Sequence, residues 1–262
     1  MENKDVLIVR MLGGFSVSWN GKAIVSSSRS DDTQMIRLLQ MLIHNKDEGV
    51  ERSKLLVLLD EDSSADDVNH LLRSVIYNLR KKLRASGLPE STYIEFREGR
   101  YYWTDSIPLI EDARQFEVVY MWACDEEEPA KRGELFKRAS YLYKGDFLPQ
   151  QTRLPWVSDE DRRYREMFRE CIENAAEALR EKKDYCELEQ LGLHASKASP
   201  FNEWETLTME ALVTLGKFRE AQELYEETLQ VYQKEMGARP SSSIISRLQD
   251  FSNRLEHRTA SP

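Results

Sequence analysis

The sequence predicts an α+β region at the N-terminus followed by an all-α region. Three observations support this: β-rich runs fill residues 6–28, apolar positions then recur with a helical period as far as residue 86, and helical patterns dominate beyond residue 105. The 262 residues are enough for two domains, each with its own core. Hydrophobic residues make up 40% of the chain and charged residues 32%, a composition typical of globular proteins.

The first predicted element is a small antiparallel sheet. Residues 6–9 and 15–19 are rich in β-branched and aromatic side chains, and Gly13-Gly14 separates the two runs. Asn20-Gly21 is a strong signal for a two-residue hairpin turn, and residues 22–25 supply the strand that follows. We therefore expect three short strands joined by tight turns.

Two helices and an acidic loop come next. An apolar period near 3.6 predicts a helix over residues 31–45, and the acidic pair Asp31-Asp32 suits its N-terminus. Val50 is predicted as a short strand and residues 53–59 as the second helix. The acidic stretch 60–67 predicts a polar loop.

A third helix and a hairpin complete the N-terminal half. The third helix is predicted over residues 68–86, because Gly87 and then Pro89 provide a typical helix end. Residues 92–96 and 100–104 are predicted to pair as a hairpin that turns at residues 97–99. A sheet, three helices and a hairpin within about a hundred residues make up the winged helix-turn-helix layout with an extra N-terminal sheet.

The second half is predicted to be entirely helical, with no convincing strand beyond Asp105. Helices are expected near residues 110–124, 130–144, 156–182, 184–198, 202–215, 217–236 and 241–256. Lys183-Asp184-Tyr185 recurs 33 residues later as Gly216-Lys217-Phe218, each at a turn between helices. This spacing favours tetratricopeptide-like (TPR-like) helix pairs, with an ordinary helical bundle as the alternative. The predicted domains are residues 1–105 and 106–262.

The distribution of charge separates the two halves. The net charge of −9 argues against nucleic acid as a partner of the whole chain. Residues 1–104, however, hold fifteen basic and fifteen acidic residues, so residues 105–262 carry the whole net charge of −9. Residues 68–87 contain five basic residues and no acidic one. Such a local excess of positive charge is what contacts with phosphates need.

A helical wheel gives the third helix two faces. The apolar stripe comprises Val68, Leu72, Val75, Ile76, Leu79 and Leu83. The other side offers guanidinium, hydroxyl and amide groups, which read base edges in the major groove of DNA. The candidate DNA-binding residues of this helix are Arg73, Ser74, Tyr77, Asn78, Arg80, Lys81, Lys82 and Arg84. Arg97 and Arg100 at the hairpin tip are candidates for contacts with the minor groove or with phosphates, and a merely solvated helix face is the alternative.

The sequence offers no catalytic, metal or cofactor site. Motifs for phosphate loops, hydrolase nucleophiles, zinc proteases and dinucleotide binding are all absent from it, so an enzyme is not expected. The isolated histidines are expected in surface or capping roles; they are His44, His194 and His257. The widely spaced cysteines are expected to be reduced packing residues; they are Cys124, Cys171 and Cys186. The N-terminus lacks a signal-peptide pattern and no apolar run is long enough to span a membrane, so a cytoplasmic location is expected.

Several segments, in their order and spacing, resemble the SARP family, the Streptomyces antibiotic regulatory proteins and their wider bacterial relatives. In the first half these are Leu12-Gly13-Gly14-Phe15-Ser16-Val17, Gln34-Met35-Ile36-Arg37-Leu38-Leu39 and Leu72-Arg73-Ser74-Val75-Ile76-Tyr77-Asn78-Leu79-Arg80-Lys81-Lys82-Leu83. In the second half they include Asp112-Ala113-Arg114-Gln115-Phe116-Glu117, Leu142-Tyr143-Lys144-Gly145-Asp146-Phe147-Leu148-Pro149 and Trp156. The resemblance covers roughly residues 6–240.

The resemblance implies an OmpR-type winged helix joined to a TPR-like bacterial transcriptional activation domain. Such proteins activate transcription by binding promoter DNA, often as head-to-tail protomers on direct repeats, so we expect a homodimer and RNA polymerase as a partner. Their third helix enters the major groove, the wing touches the minor groove, and the loop before the third helix contacts polymerase. By position, the polymerase-contact residues are Asp60, Glu61, Asp62, Asp66 and Asp67. The alternative function is a protein-interaction or ligand-sensing regulator in which DNA binding is secondary; no small-molecule effector can be identified from the sequence.

Overall fold

A computed structural model describes residues 5–26, 33–59, 65–104 and 106–237 of the chain. The chain forms two compact units. The N-terminal unit comprises Met1–Gln115 and Phe147–Ser158, and the helical unit comprises Phe116–Asp146 and Asp159–Pro262. The predicted fold class, a winged helix with an added N-terminal sheet followed by a helical domain, is confirmed. The domain boundary at residues 105 and 106 stays a prediction.

The N-terminal sheet has four strands in the order β3-β2-β1-β7. They are β1 (Leu7–Arg10), β2 (Ser16–Trp19), β3 (Lys22–Ser26) and β7 (Leu109–Glu111). Asn20 and Gly21 connect β2 to β3 with φ values of 49° and 75°. Both central residues of this hairpin therefore have the left-handed backbone that the Asn-Gly pair predicts.

Strand β7 contradicts the expectation that no strand follows Asp105. It pairs in parallel with β1, with Leu7 opposite Leu109, and the Leu7 N–H also donates to the Pro108 carbonyl at 2.8 Å. A strand of three residues is too short to show an alternating pattern. Its partner lies about a hundred residues away in sequence, so only the tertiary fold defines it.

The winged helix is built from three helices and a second sheet in the order β4-β6-β5. Its elements are α1 (Thr33–His44), β4 (Val50–Glu51), α2 (Arg52–Leu59), α3 (Ala65–Ala85), β5 (Ile94–Arg97) and β6 (Arg100–Trp103). Helix α3 begins three residues before its predicted start, so Asp66 and Asp67 lie in its first turn and not in a loop. Residues 60–64 lie outside the described residues.

Six helices form most of the described part of the helical unit. They are α4 (Asp112–Asp125), α5 (Pro129–Leu142), α6 (Pro155–Lys182), α7 (Tyr185–Ala198), α8 (Glu205–Thr214) and α9 (Phe218–Met236). Both predicted repeat turns lie between helices: Asp184 caps α7 by accepting the Glu187 N–H, and Gly216 precedes α9 with φ of 78°. The helix predicted over residues 241–256 lies outside the described residues.

Helices α7 and α8 pack closely because Gly192 has no side chain. A Cβ atom placed on Gly192 would lie 2.4 Å from the Thr208 Oγ1 and 2.7 Å from the Thr208 nitrogen. Such distances are far below van der Waals contact, so a larger residue would force the two helices apart.

Two histidines differ from their expected surface or capping roles. His44 Nδ1 lies 2.8 Å from the Glu111 Oε1, and the His44 ring packs 5.0 Å from the Phe147 ring. His194 Nε2–H donates to the Ser140 carbonyl at 2.8 Å, and burial lowers the pKa of His194. Both are partly buried, and each contacts a partner from a distant part of the sequence, which the spacing of isolated histidines does not reveal. His257 lies outside the described residues.

Among the cysteines, only Cys171 has the packing role expected of all three. It is fully buried, and burial raises the pKa of its thiol. Cys124 of α4 and Cys186 of α7 are exposed, so neither is a packing residue. All three are free thiols, as the sequence predicts.

Candidate nucleic-acid interface

Helix α3 separates its side chains into a buried face and an exposed face, as its periodicity predicts. The buried residues are Leu72, Val75, Ile76, Leu79 and Leu83, none more than 7% exposed. Six of the candidate DNA-binding residues lie on the exposed side; they are Arg73, Ser74, Tyr77, Asn78, Lys81 and Arg84. Tyr77 is 67% exposed although it is a large aromatic residue in the middle of a helix. The exposed face therefore offers a continuous surface of donors and one aromatic ring.

The other two candidates on α3 are partly enclosed. Arg80 Nη2 donates to the Ile94 carbonyl of β5, and the Arg80 Nε is buried without a hydrogen-bond partner among the described residues. Lys82 is half-buried, and its carbonyl accepts the Ser86 hydroxyl at 2.7 Å. The Arg80 guanidinium thus connects α3 to β5, which the helical wheel alone does not indicate.

The wing is the hairpin β5–β6, and its tip is a two-residue turn. Glu98 and Gly99 have φ values of 51° and 78°, and Arg97 and Arg100 face each other across the strands. The turn is one residue shorter than predicted. The Arg97 guanidinium lies 4.2 Å from the centroid of the Tyr102 ring, within cation–π distance. The contact with this ring orients the Arg97 guanidinium. Because Arg97 is also exposed, its positive charge stays available for binding.

Arg100 lies differently from the projecting side chain that the sequence predicts. Its Nη1 donates to the Glu48 carbonyl at 3.3 Å and its Nη2 to the Glu51 Oε1 at 3.1 Å. Glu48 and Glu51 both lie in the segment just before α2, so these two hydrogen bonds connect the wing to that segment. Part of the charge of Arg100 is neutralised within the protein.

Arg52 is a site residue that sequence patterns do not identify. Its backbone N–H donates to the Gly99 carbonyl at the wing tip at 3.1 Å. Its Nη2 donates to the Asn69 Oδ1 of α3 at 2.8 Å. One residue therefore contacts both predicted DNA-reading elements. The sequence feature that could identify Arg52 is its position beside the predicted start of α2. A positive charge at the N-terminus of a helix is unfavourable for the helix dipole, which indicates that Arg52 has a different role.

Tyr93 anchors the chain between α3 and the wing. It is fully buried, and its hydroxyl donates to the Pro89 carbonyl at 2.9 Å. Burial raises the pKa of Tyr93, and the positive charge of Arg84 partly opposes that rise. The hydroxyl therefore stays protonated and keeps this hydrogen bond near neutral pH.

Metal sites and membrane-spanning helices were both sought among the described residues. There, no three histidine, cysteine or acidic side chains are grouped as a metal site would require. No helix among the same residues is long and apolar enough to cross a membrane. The exposed face of α3 and the adjacent wing are the surface with the clearest binding chemistry.

Two family models match the chain along most of its length. Residues 32–103 match "Transcriptional regulatory protein, C terminal", and residues 111–250 match "Bacterial transcriptional activator domain". Both are families of transcriptional regulator domains and not of enzymes. The two matched models are thus a regulatory-protein C-terminal domain followed by an activator domain, in the order of the two predicted halves of the chain. The second model spans more than half of the chain, so the chain belongs to the family of bacterial transcriptional activator domains, and the two matches together confirm the SARP-type regulator that the sequence predicts.

A solved structure supports the fold. The chain is similar to Mycobacterium tuberculosis EmbR, described in complex with a low-affinity phosphopeptide, with a TM-score of 0.60 and 17% sequence identity. The match covers 95% of this chain but 65% of the EmbR chain, so this protein spans about two thirds of that structure. No curated protein matches the sequence significantly.

Proposed function

We propose that the protein activates transcription by binding promoter DNA through α3 and the wing and by recruiting RNA polymerase. The observation that carries this proposal is the exposed side of α3, which has several cationic and amide side chains and no acidic residue between residues 68 and 87. A solvated helix face with no binding role usually carries charges of both signs. An acid-free face suits a polyanion.

The exposed groups support specific reading as well as electrostatic attraction. An arginine pairs with the O6 and N7 of guanine, and an asparagine pairs with the N6 and N7 of adenine. Arg73 and Asn78 are both exposed on α3, so we propose that they contact base edges. Lys81 and Arg84, together with Arg97 of the wing, would contact phosphates or the minor groove. Arg80 and Arg100 would act mainly by holding these elements in place.

The remaining parts of the proposal come from the family. SARP-type regulators often bind direct repeats as head-to-tail copies, and we propose the same arrangement and a homodimer here. The acidic residues before and at the start of α3 are proposed to contact RNA polymerase; they are Asp60, Glu61, Asp62, Asp66 and Asp67. Action on promoter DNA implies a cytoplasmic location in a bacterium.

The proposal is tested by selecting bound sequences from random duplex DNA. We expect a motif repeated in the same orientation, and an affinity that falls steeply with salt, by about 0.9 log units per phosphate contact for each log unit of salt. Footprinting with and without RNA polymerase holoenzyme would then show whether polymerase binds more tightly beside the occupied site. A protein that selects no sequence would overturn the proposal.

A second candidate function, the sensing of a small ligand, rests on a groove in the helical unit. A groove between α6 and α8 has a volume of about 500 Å³, within the range of small-molecule sites. Trp204, Glu173 and Glu177 are among its lining residues. A ligand-sensing role would appear as a change in DNA affinity when a bound small molecule is added or removed. Failure to select DNA, together with tight binding of a ligand at Trp204, would favour this candidate.

A further inference from the structure

We propose that the C-terminal end of α4 is a docking surface for a basic polypeptide surface of RNA polymerase, a role that rests on the polymerase recruitment proposed above. The surface consists of Met121, Trp122, Asp125 and Glu126. Met121 is 54% exposed and Trp122 is 53% exposed. These adjacent large apolar side chains lie in the region that matches the activator domain.

The fold does not need these two side chains for its own core. The opposite side of α4 supplies the core residues Phe116, Val119 and Ala123, which are at most 5% exposed. A third side of the helix carries Tyr120, whose hydroxyl hydrogen-bonds to Glu170 of α6. Met121 and Trp122 therefore lie on a part of the helix that the unit leaves in solvent. Exposed methionine and tryptophan side by side are typical of a protein-binding surface.

The charges next to this pair select the kind of partner. Asp125 follows Met121 by four residues and Trp122 by three, so it lies one turn along the helix from the apolar pair. Glu126 comes directly after the last residue of α4, and its Oε1 accepts the Glu128 N–H at 3.0 Å. Glu127 and Glu128 continue the acidic run, although Glu128 forms an ion pair with Lys131. Negative charge at the rim repels DNA phosphates and attracts a surface rich in lysine and arginine.

The size of the surface favours a transient partner over a second copy of this chain. Two side chains that are each about half exposed supply only a fraction of the roughly 800 Å² that each partner of a stable complex buries. A tryptophan anchor with a charged rim is instead suited to a contact that forms on DNA and then dissociates. Polymerase binding beside an occupied promoter site is such a contact.

The test uses the full chain, a duplex that carries the selected site upstream of a promoter, and RNA polymerase holoenzyme. We expect Trp122→Ala to weaken polymerase retention by about thirtyfold, as for a central aromatic anchor, while its affinity for the duplex alone stays unchanged. The double variant Asp125→Lys/Glu126→Lys should slow polymerase association by about tenfold at low salt, with a smaller effect at high salt. Matched controls are Leu193→Ala, which also removes a half-exposed apolar residue, and Glu181→Lys, which also reverses an exposed charge.

The outcomes separate the two proposals. If the wild-type protein retains polymerase and Trp122→Ala retains it equally well, this inference is wrong while recruitment stands. If the wild-type protein binds its duplex yet retains no polymerase, the recruitment proposal fails and this inference fails with it. If Trp122→Ala instead breaks up a self-associated species in sedimentation velocity, the surface joins two copies of the chain and the assigned partner is wrong.

Discussion

Arg80 and Arg84 look equivalent in the sequence, but the structure predicts that replacing Arg80 with alanine lowers the free energy of unfolding much more than replacing Arg84. Arg80 Nη2 donates to the Ile94 carbonyl, and Ile94 itself is fully buried. Removing a charged donor from a buried carbonyl costs about 1.5–3 kcal/mol of the free energy of unfolding. We expect Arg80→Ala to lose about this much in urea unfolding. Arg84 is exposed, so Arg84→Ala should change the free energy of unfolding by less than about 0.5 kcal/mol.

The same two variants should differ in the opposite sense on DNA. Arg84→Ala removes a proposed phosphate contact, so the slope of log affinity against log salt should fall by about 0.9. Arg80→Ala should weaken binding mainly through the position of the wing, with a smaller change in that slope. The two arginines do not have these different roles if Arg80→Ala leaves the free energy of unfolding unchanged and lowers the salt slope as much as Arg84→Ala does.

Three further predictions concern stability and positioning. Arg52→Ala should weaken specific DNA binding about tenfold, with little change in the salt slope, because it removes the hydrogen bond that connects α2 to Asn69 of α3; titration of the selected duplex at several salt concentrations tests this. Burial raises the pKa of Asp112 to about 6, so the folded state binds this proton more tightly than the unfolded state; the free energy of unfolding should therefore rise as pH falls from about 7 to 4, and Asp112→Asn should flatten that dependence in urea titrations. Gly192→Ala should lower the free energy of unfolding by about 1–3 kcal/mol despite the better helix propensity of alanine, because its Cβ would clash with Thr208; thermal unfolding measures the loss.

Local signals make most of the fold predictable. The Asn20-Gly21 turn follows from the backbone freedom of two adjacent residues, and the two faces of α3 follow from the spacing of its apolar side chains. The predicted start of α3 is three residues late, because the acidic residues before Val68 are typical of a polar loop.

Contacts between distant segments are not predictable from local patterns. Strand β7 exists because Leu109 pairs with Leu7, and the two residues are too far apart in the sequence for a local pattern to include both. The structural roles of Arg80 and Arg100 depend on backbone carbonyls supplied by other elements, at Ile94 and Glu48. Sequence patterns identify an arginine on a helix face or in a hairpin, but they do not show whether its guanidinium is already used within the protein.

The central claim is that the exposed face of α3 reads DNA sequence, and a comparison of selected motifs tests it most directly. Arg73→Ala and Asn78→Ala should each relax the selected motif at particular base positions, at a cost of about 1–3 kcal/mol there. Lys81→Ala, the matched control on the same face, should weaken binding evenly and leave the motif unchanged. Selection of the wild-type motif at full affinity by both Arg73→Ala and Asn78→Ala would contradict the assignment of α3 as the reading element.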